Sequence, residues 1–443
     1  MFELNSPKII VFSFLAVILI GTLLLSLPIA SRDGNSVGLF TALFTSTSAT
    51  CVTGLLIVDT YQQWSLFGQI VILLLFQVGA LGFVTFATFF SSLFKRKVSL
   101  KEMVLVQESL NHFGFEDVIK LVKNVIVLTF SVELAGALIL SVKFIPLFGL
   151  IKGTYMSIFH SVSAFCNAGF DLMGQREKFS SLTTLNQDPV ILNTLAALTV
   201  FGGLGFIVWK DLIDYRKNKF LLLHTKVVLA ATAILLFIGT VFFFAFEFNN
   251  PATLGPLPLV SKINAAFFHS VFSRSVGFNS IPINQLRETS KLITIILMFI
   301  GAAPGSTGGG VKITTFAVMI ATIISQAKGS PDTIILKRHI PKKIVYRALS
   351  IIGLCAMLVI TITIALMILE DKPFIDMMFE VTSAFSTVGM TTIGTFNMSA
   401  ASQFLLVITM FLGRVGPLSF AIALATKNSK KDLVYPEGKI MVG

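Results

Sequence analysis

Four glycines recur at nearly constant spacing, each at the end of a short run of serine, threonine and aromatic residues. They are Gly54, Gly169, Gly277 and Gly389, in the stretches SATCVTGLLI, SAFCNAGFDL, FSRSVGFNSI and SAFSTVGMTT, and they lie 115, 108 and 112 residues apart. Glycine adopts backbone φ angles that other residues resist, so each loop can turn its carbonyl oxygens toward a common point. A ring of such oxygens can replace the hydration shell of a cation. The pattern therefore predicts four loops around one cation-binding axis.

The three residues that end at each glycine are the candidate ligands of a cation on this axis. The fourth triplet, Thr387-Val388-Gly389, matches the first three letters of the potassium-channel filter sequence TVGYG, whereas the others keep the glycine and small or β-branched neighbours. The complete candidate set is Val52, Thr53, Gly54, Asn167, Ala168, Gly169, Ser275, Val276, Gly277, Thr387, Val388 and Gly389. Side chains such as Thr50 and Ser163 either brace these loops or serve as ordinary turn caps.

The elements that must position these loops belong in a membrane. Of the 443 residues, 54% are hydrophobic and only 13% are charged, and the apolar residues form runs long enough to cross a bilayer. Each glycine follows a predicted helix of only about 12 residues, which reaches partway through a bilayer and must be re-entrant. These short helices are predicted at 38–50, 153–165, 262–273 and 374–386.

Each short helix lies between two long apolar helices, and this arrangement repeats four times. The long helices are predicted at 8–30 and 66–94, 118–144 and 189–212, 226–248 and 290–325, and 344–369 and 400–426. We number the units in chain order: unit 1 is 1–94, unit 2 is 95–212, unit 3 is 213–325 and unit 4 is 326–426, followed by a tail at 427–443. The expected fold is an all-α polytopic membrane protein with eight transmembrane and four re-entrant helices in pseudo-fourfold symmetry around one pore.

The distribution of positive charge orients the chain and excludes other functions. Five segments on one side hold 22 of the 34 lysines and arginines: Lys8, 95–123, 210–226, 328–347 and 427–439. The positive-inside rule places these segments and both termini in the cytoplasm, and all four units then share one orientation, unlike an inverted-repeat transporter. The net charge of +12 belongs to these loops and to no compact basic domain, which excludes nucleic-acid binding. The five histidines are scattered without a metal-binding motif, and the sequence predicts no enzyme activity.

One predicted long helix is interrupted by GAAPGSTGGGVK at 301–312. A proline and five glycines cannot sustain a regular helix. The stretch lacks the adjacent Gly-Lys-Ser/Thr of a phosphate loop, which leaves a packing kink or a flexible plug beneath the glycine loops. We expect the matching stretches VGALGF (from Val78) and FGGLGF (from Phe201) to stay helical. The candidate gate residues are Gly301, Pro304, Gly305, Ser306, Thr307, Gly308, Gly309, Gly310, Lys312 and Arg414.

Two arginines lie inside predicted membrane segments, where a buried cation needs acceptors. Carbonyls of the 301–312 stretch would hold Arg414, although a tie to Glu133 or Glu380 is the alternative. Arg274 precedes the third glycine, and we expect it to face away from the axis and tie down its loop, with Glu380 as an anchor. Asp171 and Asn279 each follow a glycine by two residues and are expected near the outer mouth.

The chain resembles the Trk/Ktr/HKT superfamily of potassium transporters, most closely the membrane subunits of bacterial Ktr systems. The resemblance spans the chain and includes the four one-glycine loops, GAAPGSTGGGVK and the closing YPEGKIMVG. It implies potassium uptake through a selectivity filter, with residues 301–312 as an intramembrane gate in a bacterial cell membrane. Glycine rather than serine at position 54 implies potassium as the ion, with sodium or unselective monovalent transport as the alternative.

The resemblance also implies partners. It implies a homodimer that contacts through the C-terminal tail and rests on a cytosolic ring of RCK-type subunits of the KtrA or KtrC kind. The nucleotide would be bound by that ring rather than by this chain, which would hold no covalent cofactor and use sodium at most as an activator. The basic segments 95–117 and 325–347 are the expected docking sites, although solvated positive-inside loops would carry the same charge.

Overall fold

A computed structural model describes residues 6–82 and 118–416, and most of these residues are in helices. The ends of the helices predicted at 66–94 and 400–426, the segment 95–117 and the tail 427–443 lie outside the described residues. A two-stranded antiparallel hairpin pairs Thr333–Ile335 with Arg338–Ile340 in the basic segment at the start of unit 4.

The long helices of the four units follow the apolar runs of the sequence. In the described parts of the chain they are Ser6–Ser26 and Leu66–Leu81; Val118–Phe148, Pro189–Gly203 and Phe206–Asn218; Leu223–Glu247, Glu288–Phe299 and Ile313–Ala327; and Lys342–Leu369 and Ala400–Val415. Their starts are set by local chemistry: the Asp188 side chain accepts from the backbone N–H groups of Val190 and Ile191, and Pro189 occupies the first turn.

The four short helices are present close to their predicted positions. They are Leu39–Thr50, Leu150–Cys166, Leu259–Phe272 and Phe374–Phe385, and we call them short helices 1 to 4. Each has its last turn fully enclosed by protein, and the residues that follow it are the glycine loops. A further helical turn at Thr60–Gln63 is capped by the Asp59 carboxylate, which accepts from the backbone N–H groups of Tyr61 and Gln62.

The expectation that only the third unit has a broken second long helix is wrong. In unit 2 the helix ends at Gly203 and restarts at Phe206, with a bend of 93° between the two parts. In units 1 and 4 the helix ends at Leu81 and Val415, each before a glycine. Gly82, Gly205 and Gly416 have φ angles of 81°, 90° and 90°, which a side-chain-bearing residue would resist. The recurring signature therefore ends or bends the helix wherever it occurs in these three units.

The first glycine of the same signature provides close packing. A Cβ atom built on Gly79 would lie 2.8 Å from the carbonyl carbon of Thr50, the last residue of short helix 1. The corresponding distances are 3.0 Å from Gly202 to Phe165 and 2.7 Å from Gly413 to Phe385. In three units, therefore, the second long helix touches the carboxyl end of its own short helix through a glycine.

Several of the described helices are long and apolar enough to cross a membrane. By length and apolar composition, four described helices can cross a membrane, or five if the bent pair in unit 2 forms one span. The helices Leu66–Leu81, Ile313–Ala327 and Ala400–Val415 are apolar but shorter. Together they make the chain a multi-pass membrane protein.

Candidate functional site

The four glycine loops meet in a closed ring. A Cβ atom built on Gly54 would lie 3.2 Å from the Cα of Gly169, and one built on Gly169 would lie 2.9 Å from the Cα of Gly277. A Cβ on Gly277 would lie 3.0 Å from the carbonyl carbon of Gly389, and one on Gly389 would lie 3.0 Å from the Cα of Gly54. Each glycine thus abuts the next in chain order, and the last abuts the first. We number the glycine loops 1 to 4 by their units. Loops 1 and 3 then face each other across this ring, as do loops 2 and 4.

Three of the loops have the same backbone, and the third differs. Two residues before the glycine, Val52, Asn167 and Thr387 adopt left-handed conformations with φ of 60°, 62° and 53°. Gly54, Gly169 and Gly389 then have φ of 86°, 71° and 91°. Neither feature occurs at Ser275 and Gly277 in loop 3, so the expectation that every glycine is needed for its φ angle is wrong there. Loop 3 is one residue shorter after its FHSV motif, and Gly277 is required by close approach instead.

A serine six residues before the glycine braces each of these three loops. The Ser48 hydroxyl accepts from the N–H of Gly54 at 3.1 Å and donates to the carbonyl of Leu55 at 2.8 Å. The Ser163 hydroxyl donates to the carbonyl of Phe170 at 2.7 Å, and the Ser383 hydroxyl accepts from the N–H of Gly389 at 3.0 Å. Sequence reasoning named Ser163 among its candidates but missed Ser48 and Ser383, although the shared six-residue offset was visible.

Residues 301–312, which we call the intrahelical loop, lie directly against the start of the glycine loops. A Cβ atom on Gly308 would lie 3.3 Å from the Cβ of Ser275, and one on Gly309 would lie 3.1 Å from the Cβ of Thr387. One on Gly310 would lie 3.2 Å from the Cβ of Ser386. The glycines of this loop therefore allow it to fill the space next to loops 3 and 4.

Unit 2 holds the first half of the intrahelical loop through backbone hydrogen bonds. The N–H of Ala303 donates to the carbonyl of Gly203 at 3.0 Å, and the N–H of Phe206 donates to the carbonyl of Gly305 at 2.9 Å. The Thr307 hydroxyl donates to the carbonyl of Phe165 at 3.2 Å, at the end of short helix 2. Pro304 lies between these contacts, its carbonyl next to Gly205.

Other contacts close the loop on itself. The N–H of Gly301 donates to the carbonyl of Val311 at 2.9 Å, which brings the two ends of the loop together. The Ser306 hydroxyl donates to the carbonyl of Ala303 at 2.6 Å, and the Lys312 ammonium donates to the carbonyl of Gly308 at 2.6 Å. The loop is therefore a compact, internally bonded segment.

Arg414 ties the intrahelical loop to unit 1. Its guanidinium donates to the carbonyl of Thr307 and to the carbonyls of Gly79, at 2.5 Å, and Ala80, at 3.1 Å. One of the three acceptors, the carbonyl of Thr307, belongs to the 301–312 stretch as predicted, whereas the other two belong to unit 1. The carboxylates of the alternative are engaged elsewhere: Glu133 accepts from Gln77, and Glu380 accepts from Thr391 and Thr395.

Arg274 faces the intrahelical loop rather than Glu380. Its guanidinium points to the carbonyl of Gly301 at 3.4 Å, and only 7% of the residue is exposed. The Glu380 anchor is therefore wrong, because that carboxylate is taken by the hydroxyls of its own loop. Arg274 connects loop 3 to the first residue of the intrahelical loop.

A cavity of about 450 Å³ lies beyond the glycines, next to the residues that follow them along the chain. All four ring glycines line it, together with Asp59, Asp171, Glu177, Lys178 and Asn279. The prediction that Asp171 and Asn279 lie near the mouth agrees with this placement. Burial raises the pKa of Asp171 to about 7, and the nearby charge of Asp59 adds to the rise.

The ring itself is a place for main-chain ligands. Among residues 6–82 and 118–416, no group of three or more His, Cys, Asp or Glu side chains is arranged to hold a metal ion. The hydroxyls of Thr53 and Thr387 lie next to the ring, are buried, and have no hydrogen-bond partner within the described chain. Carbonyl and hydroxyl oxygens of this kind suit a weakly hydrated monovalent cation better than a transition metal.

Comparison with known families gives a match over nearly the whole chain. Residues 5–433 match the family TrkH, which is described as a cation transport protein. The chain is similar to Ktr system potassium uptake protein B of Bacillus subtilis (strain 168), with 40% identity over 99% of this chain and 96% of the relative. It is also similar to the protein of the same name from Vibrio alginolyticus, with 38% identity over 99% and 95% of the two chains.

Two further similarities bear on the ion and the fold. The potassium/sodium uptake protein NtpJ of Enterococcus hirae is 36% identical over 100% of this chain and 98% of its own. The crystal structure of the potassium transporter TrkH from Vibrio parahaemolyticus matches with a TM-score of 0.71 at 16% identity, covering 96% of this chain and 86% of the other. These relatives are named for ion transport, which confirms the prediction that the chain is not an enzyme.

Proposed function

Because the chain belongs to the TrkH family of cation transport proteins, we propose that it takes up potassium across the bacterial cell membrane through the ring of four glycines. The names of two relatives that cover nearly all of the chain specify potassium uptake. The observation that carries the proposal is the closed order of the ring, in which Gly54, Gly169, Gly277 and Gly389 each contact the next loop.

The ring is the selectivity filter of this proposal. Its four triplets, ending at these glycines, present main-chain oxygens to an ion that has lost part of its water. Three of the four loops have matching left-handed residues and serine braces, which fix the direction of their carbonyl groups. The approximate fourfold symmetry of units 1–94, 95–212, 213–325 and 326–426 around this axis belongs to the same proposal.

The intrahelical loop is the gate of this pathway. It lies next to the residues that precede the glycines in loops 3 and 4. Its own glycines contact Ser275, Thr387 and Ser386. Arg414 holds the loop closed through the carbonyl of Thr307 and adds a positive charge that opposes cation passage. Opening requires the loop to leave these contacts, and its five glycines make that movement sterically feasible.

A second ion deserves a test because one relative is named for both potassium and sodium uptake. Glycine at position 54 favours potassium in our proposal, because it keeps all four positions of the ring free of side chains. Sodium then acts as an activator at most, and not as the main cargo.

The partners follow from the same membership. The names of the relatives refer to a Ktr system, which supports a second subunit. We place a homodimer of this chain on a cytosolic RCK-type ring that binds the regulatory nucleotide, with both termini cytoplasmic. The basic hairpin Thr333–Ile340 is the docking site within the described residues.

Uptake by a potassium-transport-deficient cell that expresses this chain, with and without a regulatory subunit, tests the function directly. We expect growth at low potassium, faster uptake with the partner, and a preference for potassium over sodium. Absence of potassium uptake under both conditions in correctly inserted protein would reject the function.

The filter assignment has its own test in Gly389→Ser. The new side chain meets the backbone of Gly54 at a φ of 91°, so we expect a reduced potassium-to-sodium preference. Gly353→Ser is the matched control, because a Cβ atom there meets nothing within 4 Å. Equal selectivity in the two variants would reject the filter assignment.

A further inference from the structure

One segment of unit 2 contacts all three other units on the cavity side of the glycine ring. Residues 177–183, which we call the outer strap, follow Gly169 and a short turn at Met173–Gln175. The N–H of Phe179 donates to the Asp59 carboxylate of unit 1 at 2.9 Å. The N–H of Leu182 donates to the carbonyl of Asn279 of unit 3 at 3.0 Å, and the N–H of Asn279 donates to the Ser181 hydroxyl at 3.2 Å.

The third contact reaches the unit on the opposite side of the ring. The rings of Phe179 and Phe396 stack with their centroids 4.3 Å apart and an interplanar angle of 4°. Phe396 belongs to unit 4, and loops 2 and 4 are opposite each other because Gly169 abuts Gly54 and Gly277 but not Gly389 in the ring order. A segment that touches both neighbours and the opposite unit must pass near the common axis.

The strap and the ring enclose the same space. Glu177, Lys178, Phe179, Ser180, Ser181 and Thr183 line the cavity of about 450 Å³ that the four glycines also line. The strap therefore forms one wall of this cavity and the ring forms another. Phe396 lines the cavity as well, so the stacked pair faces the space that leads to the ring.

The backbone of the strap is held in an unfavourable conformation. Phe179 and Ser181 have φ of 58° and 48°, a region that residues with side chains rarely adopt. Such conformations persist only where surrounding contacts fix them, and they concentrate at functional sites. Here the contacts are the Asp59 carboxylate, Asn279 and the aromatic stack. The Lys178 ammonium lies 5.3 Å from the Phe179 ring centroid and adds a cation–π contact.

We propose that the outer strap crosses the entrance to the glycine ring and sets the size of what can reach it. Hydrated monovalent cations enter beside the strap, past the carboxylates of Asp59 and Asp171 and past the hydroxyls of Thr60, Ser180 and Thr392. These hydroxyls are buried, line the cavity and have no partner among the described residues, so they are available to water or an ion. Bulky external molecules, including large organic cations, are excluded. The inference rests on the proposed pathway through the ring.

Thiol labelling tests the strap without depending on transport. The native cysteines Cys51, Cys166 and Cys355 are all buried, so a cysteine introduced by Leu56→Cys in the cavity wall is the intended target in the full-length protein. A small, charged maleimide and a polyethylene-glycol-linked maleimide are applied from outside to proteoliposomes. We expect the small reagent to label this position and the bulky reagent to react much more slowly.

The decisive variants remove one ring of the stack. Phe396→Ala and the milder Phe396→Leu should increase the bulky labelling rate by about fivefold, the effect of losing one aromatic pair, with little change for the small reagent. Phe242→Ala is the matched control, because Phe242 is 39% exposed, against 41% for Phe396, and stacks on Phe246 away from the cavity.

The outcomes separate the strap from the proposed function. The proposed role of the strap would be overturned if Phe396→Leu protein, with an unaltered melting temperature, reacted with the bulky reagent at the same rate as the parent. It would also be overturned if Phe242→Ala raised that rate as much as Phe396→Ala. The expected labelling contrast in a protein that moves no potassium would support the strap and reject the transport function instead.

Discussion

Units 2 and 3 break the same helix at the same signature but with different consequences. In unit 2, Gly203 and Phe206 flank a two-residue break with a bend of 93°. In unit 3 the helix stops at Phe299 and restarts at Ile313, and the residues between them lie against glycine loops 3 and 4. A break is therefore common to both units. What distinguishes unit 3 is the length and glycine content of the inserted chain.

The two breaks also contact each other. The carbonyl of Gly203 accepts from Ala303, and the carbonyl of Gly305 accepts from Phe206, so the compact break of unit 2 supports the long break of unit 3. In unit 2, Gly202 touches the end of its short helix, whereas the matching Gly301 touches Gly309 of its own loop. We propose that unit 2 is a fixed support and that the intrahelical loop of unit 3 is the part that moves.

Deleting Gly308, Gly309 and Gly310 should have the largest effect. The deletion removes the part of the loop that contacts Ser275, Ser386 and Thr387, so we expect potassium flux in proteoliposomes to rise by about two orders of magnitude, as the closed state loses its contacts. Deletion of Gly34 and Asn35 from an exposed turn is the control and should leave flux unchanged. Equal flux in parent and deletion proteins would show that the loop is no barrier.

Replacing Arg414 with glutamine should have the next largest effect. The change removes a charged donor to the carbonyls of Thr307, Gly79 and Ala80, and hydrogen bonds to charged groups contribute about 2 kcal/mol. We expect flux to rise by roughly tenfold without loss of potassium preference, measured with potassium and sodium gradients. Arg414→Lys keeps the charge but not the planar fork and should give a smaller rise. Unchanged or lower flux in Arg414→Gln would contradict the role of Arg414 in holding the intrahelical loop closed.

Two adjacent glycines test whether unit 2 is a fixed support. A Cβ atom on Gly202 would lie 3.0 Å from the carbonyl carbon of Phe165, and still closer to its oxygen, whereas one on Gly203 meets its nearest neighbour at 3.6 Å. We expect Gly202→Ala to destabilise the protein by about 2 kcal/mol through overpacking, while Gly203→Ala is tolerated. Thermal unfolding in detergent measures both, and equal melting temperatures would argue against the support role of this contact.

The smallest effect concerns external pH. Burial raises the pKa of Asp171 to about 7, so this carboxyl gains a proton and loses its charge as the pH falls through neutrality. The cavity also contains Asp59, Glu177 and Lys178, which moderate the change. We expect uptake to fall less than about threefold on acidification, as the attraction for cations weakens. Asp171→Asn should remove the pH dependence of uptake. Glu288→Gln changes an exposed carboxylate and should leave that dependence as it is. If Asp171→Asn protein kept the same pH profile, Asp171 would be excluded as the source of the dependence.

The short helices and the glycine loops were predictable because their signals are local and repeated. Their bounds, such as Leu39–Thr50 against a predicted 38–50, follow from apolar length and from the glycine that ends each motif. The interruption at 301–312 was equally clear, because a proline and a cluster of glycines exclude a helix.

The break in unit 2 was not predicted, because a lone Gly205 within an apolar run is compatible with a continuous helix. Gly205 has a φ of 90°, and the next residue, Phe206, donates its N–H to the carbonyl of Gly305 across the unit boundary, a contact that the sequence of unit 2 does not reveal. The prediction that Glu380 anchors Arg274 was wrong because sequence does not reveal which of several hydroxyls reaches a buried carboxylate. Phe179 and Phe396 were missed because contacts between opposite units leave no periodic signal.

The central claim is that a dehydrated potassium ion binds on the axis of Gly54, Gly169, Gly277 and Gly389. Crystals of the full chain grown with thallium in place of potassium test it most directly, because thallium scatters anomalously and resembles potassium in size. The account predicts anomalous peaks on that axis, within coordination distance of main-chain oxygens from all four loops. Peaks confined to other sites, with an unoccupied ring at saturating thallium, would contradict it.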